Sequence, residues 1–144
     1  MTERSERAGL SLTEPGGWLV LALSGVFVLL GLLFVFAPRA GAALFGIPAE
    51  EGSGLSYVSA IGLRDLALGF YLFALLRLST RRAIGAILGI TVLIPVGDVI
   101  LVFLERGFDS PGHLLLHGLS GVVMAASSLW LLAQASHDTK GGYT

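Results

Sequence analysis

Four long apolar runs divide the chain, covering residues 17–37, 56–77, 83–104 and 113–134. At ~1.5 Å per residue, each is long enough to cross a hydrocarbon layer of ~30 Å as an α-helix. Polar residues bracket them: a tail over 1–16, short connections between the runs, and a tail over 135–144. The pattern predicts an all-α fold, an integral membrane antiparallel four-helix bundle with one transmembrane domain over 17–134. A signal peptide is the competing reading of the first run, because Ala40-Gly41-Ala42 supplies small residues after it. A signal h-region is shorter, about 7–15 residues, which favours a retained span.

The connections carry their own signals. Ser11-Leu12-Thr13-Glu14 fits a capping box, but Pro15 and the glycines after it stop a long helix, so 1–16 reads as a short mobile tail. Pro38 ends the first helix. In the connection that follows, Leu44-Phe45-Gly46-Ile47-Pro48 reads as an apolar patch within a loop at the membrane interface, and Glu50 and Glu51 begin a flexible approach to the second helix. The link Leu78-Ser79-Thr80-Arg81-Arg82 is short and basic, which makes helices two and three an antiparallel hairpin. Gly, Asp, Ser and Pro mark 105–112 as a turn. Ser24, Gly25 and Gly31 let neighbouring helices approach, and Gly85 with Gly89 forms a small-xxx-small face that reads as packing within the bundle. Pro95 predicts a kink in the third helix.

Composition agrees with the pattern. Hydrophobic residues make up 54% and charged residues 13%. A soluble domain carries roughly a quarter charged residues, so too little polar surface is available to cover a water-soluble globule. The formal net charge is −1, without the basic excess that nucleic acid requires. Cysteine is absent, which removes disulfides, thiol chemistry and iron–sulfur ligation. The partner expected from composition is the lipid bilayer, and the expected location is the cell membrane, multi-pass. Arg4, Arg7, Arg77, Arg81, Arg82 and Lys140 fall on one side of a four-span topology, Arg39 and Arg106 on the other. The positive-inside rule then puts both termini in the cytoplasm.

Against this background the ionisable residues inside the spans stand out. Arg64 and Asp65 lie side by side in the second run, Asp98 in the third and His117 in the fourth. A charge at the bilayer centre costs roughly 2.5–3.5 kcal/mol on insertion scales, so such residues face the protein interior and a partner. Counting from the outer helix ends at ~1.5 Å per residue puts Arg64 and Asp65 about 10–13 Å deep, Asp98 about 9 Å and His117 about 6 Å. They converge at one level in the outer half of the bilayer, with Arg39, Tyr57 and His113 at the mouth.

Asp65 shares a helical face with Gly62 and Gly69, which aims it into the closest helix contact. A cross-helix bond from Arg64 to Asp98 suits the planar guanidinium fork. The cluster is then either a structural ion-pair core or a site that also binds or transforms a ligand. His113 and His117 are spaced as metal ligands on a helix, but without an acidic HExxH partner or a third nitrogen, and no metal or other cofactor is assigned. A histidine hydrogen-bonded to a carboxylate is the plainer reading. Tyr57 and Tyr71 are candidate donors to a ligand oxygen, or simply interface anchors.

The run of Pro38, Leu44-Phe45-Gly46-Ile47-Pro48, Gly62-Leu63-Arg64-Asp65-Leu66-Ala67-Leu68-Gly69, Asp98, Gly107 and His117 resembles a family of small bacterial and fungal membrane proteins catalogued as domain of unknown function 4267, itself similar to DoxX-like four-helix proteins. The resemblance covers roughly 17–134. It implies a four-helix bundle with its polar residues turned inward. Some DoxX-like relatives are associated with quinone-linked or thiol-stress systems, but the cysteines such redox work uses are missing here. The functional expectation is a non-catalytic binding protein or complex subunit that holds a small lipophilic, quinone- or lipid-like ligand at Arg64, Asp65, Asp98, His117 and Tyr57, alone, as a homo-oligomer or beside a partner membrane protein. The alternative is a membrane enzyme, an isomerase, cyclase or epoxide-opening hydrolase, with Asp98 or Asp65 as acid, His117 as proton partner and Arg64 stabilising an oxyanion.

Overall fold

The computed structural model describes residues 10–48 and 51–141, which form six α-helices and no strand. These are α1 (Pro15–Phe36), α2 (Pro38–Phe45), α3 (Ser53–Leu78), α4 (Arg81–Thr91), α5 (Leu93–Arg106) and α6 (Pro111–Gly141). Four helical stretches are long and apolar enough to cross a membrane: α1, α3, α4 continued by α5, and α6. The protein is an α-helical membrane bundle.

Pro95 divides the third span. It has no N–H to give the carbonyl of Thr91, and its ring crowds that carbonyl. The break appears at Val92, whose N–H turns to the carbonyl of Gly89 at 3.3 Å, a tightened last turn before α5 begins. At the start of the same span Thr80 caps α4, its hydroxyl oxygen accepting from the Ala83 N–H at 3.3 Å.

The helices pack as two tight pairs, α1 with α3 and α6 with α4 and α5. The expected hairpin of the second and third spans is only a chain connection, because α3 and α4 touch little beyond the link. Small residues set the pairing. Gly62 lies so close to α1 that a Cβ there would come within 2.8 Å of the Gly31 carbonyl oxygen. One heptad along, Ser24 donates its hydroxyl to the carbonyl of Gly69 at 2.8 Å. In the second pair Ser128 donates to the carbonyl of Gly85 at 2.7 Å, and a Cβ on Gly89 would meet the Ser128 hydroxyl at 2.9 Å. Gly85 and Gly89 thus pack inside the bundle, as their spacing indicates. Gly25 has nothing within 4 Å of its Cβ position and lies off both seams.

Two apolar layers follow. Near the end where α1 begins and α6 finishes, Val20, Leu72, Leu76, Ile84, Leu88 and Leu131 form a core with Leu10. Toward the opposite end, Phe34, Ala42, Phe45, Val58 and Val102 form a second. Leu10 corrects the mobile-tail expectation for its part of residues 1–16: an apolar side chain beside a bundle end buries itself, and Glu14 pairs with Arg81 across the same end. Ser11 and Thr13 form a local hydroxyl contact instead of a capping box, and Glu14 is the residue that precedes the helix. The remainder of that tail, 1–9, lies outside the described residues, as do Glu50 and residues 142–144.

A further correction concerns residues 38–45, expected as part of a loop. They form α2 because Pro38 occupies the first helical position, where a missing N–H costs nothing, and Gly46 closes the helix at φ 94° with its N–H on the Ala42 carbonyl at 3.0 Å. Phe45 is buried, not interfacial. The last helix also runs past the expected end at Gln134 to Gly141, since no breaker intervenes before the glycine pair at 141–142.

Candidate functional site

Between the two apolar layers lie Arg64 and Asp65 on α3, Asp98 on α5 and His117 on α6. The structure brings together all four ionisable residues expected in the cluster. Asp65, Asp98 and His117 are buried, at 4%, 8% and 8% exposure. Asp65 occupies the α3 face that carries Gly62 and Gly69, where the helix meets α1 most closely.

Arg64 folds over its neighbour. Its Nε donates to Asp65 Oδ1 at 3.1 Å, and Nη2 lies 3.1 Å from the same oxygen. The expected cross-helix bond to Asp98 is therefore not the main contact: Arg64 Nη1 stands 3.9 Å from Asp98 Oδ1, within ion-pair range but beyond a hydrogen bond. The flexible arginine stem reaches the carboxylate next to it as readily as the one across the bundle.

His117 is fixed from the other side. Its ring packs on Phe45 with centroids 4.8 Å apart, and its Nε2 donates to the Phe45 carbonyl at 2.9 Å. A carbonyl only accepts, so the ring keeps a hydrogen on Nε2 and turns Nδ1 to Asp98. Nδ1 stands 3.8 Å from Asp98 Oδ2. Asp98 is thus held between a guanidinium and an imidazole, one near each carboxylate oxygen.

His113, one turn earlier on α6, does different work from that expected. Its Nε2 meets the Ala43 carbonyl at 3.0 Å and its Nδ1 the Ser110 hydroxyl at 2.6 Å. The two histidines together pin the last turn of α2, and the His113 ring fills the space where Gly46 lacks a side chain. A helix end has carbonyls without intrahelical partners, and imidazole N–H groups satisfy them here.

The cluster forms the polar part of a cavity of about 490 Å³ lined by residues of α1, α2, α3, α5 and α6. Apart from Ser120, whose hydroxyl donates to the Leu116 carbonyl of its own helix, its remaining wall is apolar, with Phe34, Phe45, Pro95, Leu119, Val123 and Met124 among the lining residues. Leu119 and Val123 are also half-exposed or more on the bundle's flank, so the cavity is reached from the side that faces lipid. The cavity lies between the two tight helix pairs, where few backbone contacts join α1 to α6.

Tyr57 does not join the site. It shares the α3 face of Arg64 but lies two turns nearer the helix start, where no element covers it, and it is 75% exposed. Tyr71 is exposed as well. Arg39 pairs with Glu51 at 2.7 Å on the surface and, with Arg106 and His113, borders a separate cavity of about 390 Å³ beside α2. Among the described residues no three His, Asp or Glu side chains are placed to share a metal ion. Sequence reasoning missed Phe45 as the partner of His117. The bracket of Pro38 and Gly46 around an apolar stretch is the signal that points to a packed helix there.

Neither the curated proteins nor the solved structures contain a match to the chain. A family model, described as a domain of unknown function, DUF4267, matches residues 24–131. That match includes Arg64, Asp65, Asp98 and His117 and covers well over half of the 144 residues. The chain is a small, four-span helical membrane protein and belongs to the DUF4267 family.

Proposed function

We propose that this protein binds a small lipophilic molecule in the cavity between its two helix pairs, with the polar end of that molecule at Arg64, Asp98 and His117. One observation carries the reading: a cavity of about 490 Å³ with an apolar wall converges on buried ionisable side chains. Small-molecule sites have this form, mostly apolar with a few placed polar groups, in volumes of roughly 300–1,000 Å³. Buried charge within a membrane span is costly, and a site is one reason to keep it. The excess of Arg and Lys at the end carrying the termini supports a cytoplasmic location for both, which turns the α2 end outward.

Native mass spectrometry of the full-length protein released from mild detergent tests this reading. A stoichiometric lipophile should accompany the wild-type chain and be lost from Val123→Trp, which fills the cavity wall without touching the charges. Bare protein, or the same bulk phospholipid on both forms, would remove the reading.

A second reading rests on a separate observation. His117 is held with Nε2 on a carbonyl and Nδ1 3.8 Å from Asp98, a gap that one bridging water or ligand hydroxyl spans to relay a proton between the ring and the carboxylate. The protein would then be an acid–base enzyme acting on the same lipophile, with Arg64 stabilising developing negative charge. Turnover of the co-purified molecule that survives both Asp98→Asn and His117→Phe would exclude this assignment.

A further inference from the structure

The hydrogen-bonding capacity at the cavity's polar end is unevenly used. Arg64 and Asp65 satisfy one another through Nε, Nη2 and Oδ1. His117 uses Nε2 on Phe45. Asp98 is 8% exposed, yet it accepts no hydrogen bond from any of the described residues. Its two nearest side-chain nitrogens, Arg64 Nη1 at 3.9 Å and His117 Nδ1 at 3.8 Å, are both beyond hydrogen-bond distance. A buried carboxylate without donors is costly, so the residue is placed for something that donates to it. Both Asp98 and Arg64 line the cavity.

The separation is informative. An oxygen atom offset from the line joining Asp98 Oδ1 and Arg64 Nη1 lies within hydrogen-bond distance of both when they are 3.9 Å apart. That oxygen must carry a hydrogen for the carboxylate and keep a lone pair for the guanidinium. A hydroxyl does both. A ketone or ether accepts from Arg64 but leaves Asp98 without a donor. A carboxylate or phosphate meets two aspartates against one arginine. An ammonium suits Asp98 but faces the guanidinium and has no lone pair to offer it.

We infer that the cavity selects a lipophile ending in a neutral hydroxyl, an alcohol or phenol, whose O–H donates to Asp98 and whose oxygen accepts from Arg64. The apolar remainder of the molecule lies along Phe34, Leu119 and Val123 toward the lateral opening. This inference rests on the cavity-binding reading above and narrows it to one chemical class of ligand.

The test uses four probes of equal chain length, 1-dodecanol, dodecyl methyl ether, dodecanoic acid and dodecylamine, titrated against the full-length protein in nanodiscs and read by native mass spectrometry. The alcohol should bind about tenfold more tightly than the ether, the effect of one hydrogen bond to a charged group. In Asp98→Leu, which keeps the Arg64–Asp65 pair, that preference should vanish. If this variant does not fold, the wild-type ranking alone decides the matter. Preference for the acid would show that Arg64 dominates, and preference for the amine that the carboxylates do; either overturns the hydroxyl assignment. Equal binding of alcohol and ether, or a preference that persists in Asp98→Leu, overturns it too. Failure of all four probes also rejects the hydroxyl class. Whether the cavity binds a lipophile at all is judged independently, from what accompanies the wild-type chain and is lost in Val123→Trp.

Discussion

The two ends of this bundle are built to different rules. Where α1 begins and α6 finishes, Val20, Ile84, Leu88 and Leu131 are wholly buried, and the helices are closed by hydroxyl-to-carbonyl bonds at Ser24–Gly69 and Ser128–Gly85. In the other half, the same spans draw apart around a cavity, a proline breaks the third one, and α2 is inserted against α6 through His113 and His117. Among the described residues the first region has no ionisable group in its core; the second buries two carboxylates, an imidazole and the contacts of a guanidinium. Polar bonds at the closed end join helices, whereas Asp98 at the open end is left without a hydrogen bond among the described residues. A bundle that needed only to be stable has no reason to differ so much between its ends.

The largest effect that separates the two regions should come from Arg64→Ala. It strands Asp65, which is buried and takes its hydrogen bond from that arginine alone among the described residues, and it removes the cation nearest Asp98 Oδ1. The Arg64 side chain is itself 38% exposed, but the carboxylate it leaves behind is 6% exposed, and stranding a buried charge costs about 3–5 kcal/mol. Reversible unfolding in mixed detergent should show a loss of that size. The double change Arg64→Met with Asp65→Leu should recover most of it, because apolar replacement of a whole buried pair is often neutral. If the double variant stays as unstable as the single, the pair is part of what holds the fold, and the contrast between a structural end and a site end is wrong.

Next in size is Gly62→Val. The added side chain would meet the Gly31 carbonyl, Phe34 Cβ and Val35 Cγ2 at under 3 Å, two of them on atoms that cannot swing away. Overpacking of this kind costs typically 1–3 kcal/mol, and about 3 kcal/mol is expected where backbone must move. Gly118→Ala is the companion measurement. No atom lies within 4 Å of that Cβ position, so this change should cost nothing and, inside a helix, should raise stability by up to about 1 kcal/mol.

Much of this was legible in the sequence. Apolar runs of bilayer length located the four spans, and the expense of charge in lipid singled out Arg64, Asp65, Asp98 and His117 before any geometry was known. The pairing of the helices was latent in the small residues: Ser24 and Gly31 are one heptad apart, as are Gly62 and Gly69, and in antiparallel register Ser24 meets Gly69 while Gly31 meets Gly62. Short connecting links argue for sequence neighbours as packing neighbours, and here side-chain size overrode chain proximity. Helix α2 was missed because eight residues make only about two turns, too short for its amphipathic pattern to stand out from a loop; the proline and glycine that bracket it give it away. Which carboxylate Arg64 would choose depended on a flexible side chain, and that is not encoded in spacing.

His117→Phe probes how α2 is held. The substitution keeps a ring beside Phe45 but deletes the donor to its carbonyl. One hydrogen bond contributes about 1 kcal/mol net. The expected signature is local: amide hydrogen exchange should quicken over residues 38–45 while the core around Leu72, Ile84 and Leu131 keeps its protection. His113→Phe should do the same at Ala43. Uniform loss of protection through both halves would mean that the two regions unfold as one unit.

The smallest effect should come from Ser128→Ala, and its value lies in what it leaves alone. Its hydroxyl donates to Gly85 at the closed end, away from the cavity lining. Interhelical hydrogen bonds in membranes average ~0.6 kcal/mol, because the unfolded helix also finds partners within the bilayer. A shift of that order in the unfolding midpoint is expected, with no change in any co-purifying lipophile. Should this variant lose a co-purifying lipophile as Val123→Trp is expected to, the closed end would be coupled to the open one through α6. The break before Pro95 would then have to transmit motion, not separate a rigid half from a site.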